Sequence, residues 1–88
     1  MTNVHMNIES VRNFAEKLDL RAQSLTESAN DLIQVTMTLA QSWEDDQYKL
    51  FYDDSRRLVS LLQECVRHCE FEKRRLETII AAAEAIKY

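Results

Sequence analysis

Three side chains capable of metal or redox chemistry lie close together at Cys65, His68 and Cys69. On a helix, spacings of three and four put them on one face. Thiolate and imidazole are good zinc ligands, but a tetrahedral site needs a fourth, from His5 or from a second subunit. Both cysteines also fall on an apolar period, where cysteine behaves as a small hydrophobe, so packing is the favoured reading. Geometry disfavours a disulfide within one helical turn, which leaves a cross-link between subunits after export as the oxidative alternative. The paired carboxylates Asp45-Asp46 and Asp53-Asp54 are adjacent, so a helix would splay them to different faces, suiting capping better than acid–base work. Two histidines are a thin inventory for a triad that must converge in a pocket. The expectation is a protein without catalysis, metal or cofactor.

The elements that must carry these residues follow from composition. The 88 residues contain no glycine and no proline, while 45% are hydrophobic and 30% charged. Such a chain lacks loop punctuation and reads as long helices or a coiled coil in a single domain, residues 1–88. A net charge of −4 argues against nucleic acid or an anionic membrane as the main partner. The basic pair Arg56-Arg57 and the basic triplet Lys73-Arg74-Arg75 are flanked by acids and read as solvated helix faces. No stretch is apolar enough to span a bilayer, so no membrane insertion is expected. The opening residues lack the form of a cleavable signal peptide, so any export would use another route.

A stripe with alternating spacings of four and three runs through Val4, Ile8, Val11, Ala15, Leu18, Ala22, Leu25, Ala29, Leu32, Thr36, Leu39 and Trp43. One of its rows is small, at Ala15, Ala22 and Ala29, and the other is large. That alternation lets a second backbone approach closely while the leucines interdigitate. Asn7 is the expected N-cap. A second stripe comprises Phe51, Ser55, Leu58, Leu62, Cys65, Cys69, Glu72, Leu76, Ile79, Ala83 and Ile86, widened by Val59, Val66 and Ile80. Glu72, its one charged member, either snorkels outward or pairs with an arginine.

The two stripes are out of phase. Continuing the first past Trp43 selects Asp46, Leu50, Asp53, Arg57, Ser60, Glu64 and Arg67, nearly all polar. One unbroken helix would turn its apolar halves in different directions, so the chain must fold back. The predicted architecture is all-α: a helix over about 7–41, a turn over about 42–46, and an antiparallel helix over about 47–86. Ser42 to Asp45 has the form of a capping box, and Asp45 or Asp46 is placed to cap the second helix. Phe14, Ile33, Val35, Met37, Leu61, Val66, Phe71 and Ile80 lie off the seams or at their edges, which favours pairing two hairpins into a four-helix bundle as a dimer. The predicted packing and dimer residues are Ala15, Leu18, Ala22, Leu25, Ala29 and Leu32 with Leu58, Leu62, Cys65, Cys69 and Leu76.

Trp43-Glu44-Asp45 at the centre of the chain, with Phe51 eight residues after the tryptophan, resembles the turn of the WXG family. Those proteins are small helical hairpins of type VII (ESX) secretion, and Asp45 occupies the position of their glycine. The resemblance implies synthesis in the cytoplasm and export without a cleavable signal peptide, as a substrate or as the partner of a larger exported effector. It also implies a partner that is a second copy or a similar hairpin, and contact with a secretion ATPase. A role in recognition is implied for Trp43 and, around it, Asp45, Tyr48 and Phe51. Family substrates carry a Tyr-x-x-x-Asp/Glu signal after the second helix, whereas here the sequence ends at Tyr88. The expectation is therefore export through a partner's signal, or a helper role. The rival reading is a cytosolic coiled-coil adaptor or a structural subunit of another helical assembly.

Overall fold

The computed structural model describes residues 6–86, which form two long helices: α1, Ile8–Ala40 (33 residues), and α2, Asp46–Ile86 (41 residues). There is no strand among the described residues. Val4, His5 and Tyr88 lie outside them. The helices fold back on one another as an antiparallel hairpin: Tyr48 reaches Thr36 near the turn, Lys73 meets Asp19, and Glu84 meets Arg12 near the far end.

Asn7 starts α1 as expected. Its backbone is extended, and its side-chain oxygen accepts from the Ser10 amide at 3.1 Å, satisfying one of the free donors of the first turn. Gln41 keeps right-handed angles (φ −74°, ψ −19°), and the amides of Gln41 and Ser42 donate back to Thr38 and Leu39 at 3.1 Å. Such three-residue closures tighten the last turn and use carbonyls that the helix leaves unpaired. Asp45 then caps α2, its Oδ1 accepting from the Tyr48 amide at 3.1 Å. The expected capping box does not form. The Ser42 hydroxyl turns back to the Leu39 carbonyl instead, because it serves the end of α1 before it can serve the start of α2.

The small row of α1 is the centre of the hairpin. Ala15, Ala22, Ala29 and Thr36, a heptad apart, are buried, down to 2% exposure at Ala29. The buried Thr36 hydroxyl is satisfied by its own helix, donating to the Leu32 carbonyl at 2.8 Å. The large row, Val11, Leu18, Leu25, Leu32 and Leu39, is only half-buried.

On α2 the packed seam is rotated from the expected stripe. Ser55 and Ile80 are buried, and Val59, Leu62, Val66, Cys69, Leu76 and Ala83 are half-buried. Leu58, Cys65 and Ile79 are exposed, so the places expected of them within the hairpin belong to Val59, Val66 and Ile80. The reason is the width of the apolar arc on α2, about three columns, of which a single neighbouring helix covers two. Glu72 is half-buried and pairs with Arg75 on its own helix at 3.5 Å.

The molecule measures 66 × 22 × 14 Å, so it is one helix thick. No large side chain among the described residues is fully buried. The accessible surface is 7148 Å², against about 5,400 Å² expected for a compact monomer of 10.4 kDa.

Candidate interaction site at the hairpin tip

The turn brings Trp43, the chain's one tryptophan, against the first two turns of α2. Its ring centroid lies 5.7 Å from Tyr48, edge to face, and 5.8 Å from Phe51. Tyr48 stands 6.3 Å from Phe51 and 6.1 Å from Tyr52, completing a row of four aromatic rings. These separations are in the attractive range for offset and edge-on rings. Positions 48, 51 and 52 share a helix face because they are spaced by three and four. Trp43 joins them because Asp45 fixes where α2 begins.

Tyr48 also ties the two helices together. Its hydroxyl donates to the Thr36 carbonyl at 3.0 Å. Trp43, Tyr48 and Phe51 are each half-buried, so the cluster supports the turn while leaving ring surface open to solvent. Tyr52 and Arg56 extend it along α2. The Arg56 guanidinium donates to the Tyr52 hydroxyl at 3.1 Å and lies 5.8 Å from the ring centroid. That hydrogen bond, with the charge interaction with Tyr52, raises the Arg56 pKa above its ordinary value. Sequence reasoning passed over Tyr52 and Arg56, although Tyr52 lies four residues after Tyr48 and Arg56 four after Tyr52, which was the signal available.

The charge at this end is mildly acidic. Residues 44–57 include Glu44, Asp45, Asp46, Asp53 and Asp54 against Lys49, Arg56 and Arg57, a balance of −2. The acids are exposed and their role near the turn is divided: Asp45 caps, Asp54 holds Arg57 at 2.8 Å, and the rest face solvent.

The cysteine cluster is placed differently from the aromatic one. Cys65 is an exposed free thiol, Cys69 is a half-buried one, and His68 is exposed. Among the described residues no group of three or more His, Cys, Asp or Glu side chains is arranged to hold a metal ion. His5, the suggested fourth ligand, lies outside those residues. Nor is any described helix long and apolar enough to cross a membrane.

Of the predicted packing residues, Ala15, Ala22 and Ala29 are the buried ones. Leu18, Leu25, Leu32, Leu62, Cys69 and Leu76 line the hairpin half-buried, and Leu58 and Cys65 stand outside it. Comparison with known proteins adds no family: no family model matches the chain, and neither does any curated protein or solved structure.

Proposed function

We propose that this chain is a non-enzymatic, WXG-like protein of type VII secretion. It works as an exported substrate, or as the dimerising partner and targeting factor of a larger exported effector. The observation that carries the reading is Trp43 at the turn of a two-helix hairpin, stacked on the aromatic residue eight positions later with part of its surface open. A large, partly exposed aromatic held rigidly at one end of a rod is suited to recognition, since aromatic anchors supply much of the binding energy at interfaces. The half-buried leucine rows support the second part of the reading, pairing with itself or a similar hairpin into a four-helix bundle.

The test is co-purification with the products of adjacent genes, combined with an export assay in the native host. Trp43→Ala is expected to lower partner binding or export at least tenfold while the purified protein stays helical. Unchanged binding and export in that variant would remove the recognition role. Open-ended filaments in place of a discrete complex would favour a structural subunit instead.

A further inference from the structure

A groove opens between the helices on the side away from the leucine row of α1. Around that helix Ile33 and Met37 stand about +60° and +100° from the buried Thr36, whereas Leu32 and Leu39 stand about −40° and −60° from it. Ile33 and Met37, 36% and 58% exposed, form one wall, and Tyr52 and Val59 form the other. The floor is Thr36 and Ser55, and Ser55 is only 3% exposed. Thr26, Thr36 and Thr78 each donate a hydroxyl to the carbonyl four residues back. The Ser55 hydroxyl makes no such bond, nor any other among the described residues. Its oxygen opens to the groove, since no sealed polar side-chain atom among those residues lacks a partner.

Arg56 is the one charged residue that lines this groove. Its Nη1 donates to the Tyr52 hydroxyl, which leaves the Nε–Nη2 edge free to take a carboxylate through two parallel bonds. The neighbouring Arg57 is occupied by Asp54, whereas Arg56 forms no ion pair among the described residues. The charge of Asp53 favours the Arg56 cation from outside pairing distance. We propose that the groove is a docking site for a short amphipathic helix of another protein, apolar along one face and carrying a carboxylate bound by Arg56 and Ser55. The inference goes beyond the reading above and does not rest on it. The groove shares only Tyr52 with the aromatic row and none of the leucines assigned to pairing.

Charge and length select the occupant. A cation beside an unpartnered hydroxyl, between apolar walls, complements a carboxylate set next to aliphatic side chains. From Tyr52 to Gln63, whose amide closes the far end, α2 rises about 16 Å, or three turns. A partner helix of that length lays residues i, i+3 or i+4, and i+7 against Ile33, Met37 and Val59. Beyond it the same side of the hairpin turns polar at the Asp19–Lys73 ion pair, which ends the apolar contact. A second copy seated about a twofold axis centred on the groove would set the two Arg56 guanidiniums against each other, so self-association is the poorer fit.

The experiment titrates the isotope-labelled full chain with a panel of synthetic helical peptides about three turns long. Each has a leucine stripe, and the members differ in its register and in carrying glutamate or lysine beside it. Amide shifts at Ile33, Met37, Val59 and Gln63 report the groove. The expected result is saturable shifts at these residues, with the best glutamate peptide binding at least about tenfold tighter than its lysine twin. Arg56→Glu should reverse that preference, and its gain of lysine-peptide binding shows that the variant folds. Ser55→Ala should weaken the glutamate peptide alone. Equal binding of the twins, a preference unchanged in Arg56→Glu, or no saturable shift in the groove overturns the proposal. Sedimentation of Met37→Glu tests the other occupant. A solution mass equal to that of wild type is expected, and a smaller species would place a second copy in the groove and overturn the proposal as well.

Discussion

Asp45 stands where a hairpin between helices would ordinarily place glycine, and it serves through its side chain. The structure leaves α1 by three-residue closures with Gln41 still right-handed, so the turn asks for a cap at Asp45. Asp45→Ala is therefore expected to cost about 1 kcal/mol, while Asp45→Asn, which preserves the acceptor, stays near wild type. Thermal melts of the two variants check this. Tyr48→Phe removes the hydroxyl that donates to Thr36 while keeping the ring in its cluster, and a loss of about 1 kcal/mol in denaturant titration is expected. The sole tryptophan makes both measurable by fluorescence at the site itself.

At the scale of the helices, most of the fold was legible in residue spacing. The α1 stripe read from Ile8 to Leu39 is the stripe that packs, because its small row is narrow and only one face of α1 can bring a backbone close. The break was legible too, since the polar residues at the continued positions forbid one straight helix. The seam of α2 was less so. Spacing selects Leu58, Cys65 and Ile79 as readily as Val59, Val66 and Ile80, since both columns are apolar and both neighbour the Leu62 column. Which column turns inward depends on the approach of α1, and no single helix encodes that. The tip cluster was legible as to Trp43, Tyr48 and Phe51, but Tyr52 and Arg56 read as ordinary helix surface. Two substitutions test the seam. Ile80→Ala is expected to cost about 2–4 kcal/mol because Ile80 is 4% exposed, whereas Phe71→Ala, 57% exposed, should cost well under 1 kcal/mol. Ala22→Leu should destabilise by about 1–3 kcal/mol by overfilling a buried position between the helices.

For the molecule as a whole, buried contacts between the helices outweigh the ion pairs that link them. The ion pairs Arg12–Glu84 and Lys73–Asp19 are substantially exposed, so they guide register more than they stabilise. Glu84→Gln is expected to cost less than about 1 kcal/mol, and moderate salt should leave the melting temperature almost unchanged. Leu58, 52% exposed, tests the proposed pairing: under it, Leu58→Asp should raise the concentration at which the proposed dimer dissociates in analytical ultracentrifugation at least tenfold over wild type.

The order of contacts along the rod has a kinetic consequence. Tyr48 and Thr36 are separated by 12 residues, whereas Arg12 and Glu84 are separated by 72. Closing the short loop costs less chain entropy, and each further layer then closes against a preformed neighbour. The hairpin should therefore zip from its aromatic end. In stopped-flow experiments, substitutions at Tyr48 should mainly slow folding, and those at Ile80 should mainly hasten unfolding. The tip is then the nucleus from which the rod grows.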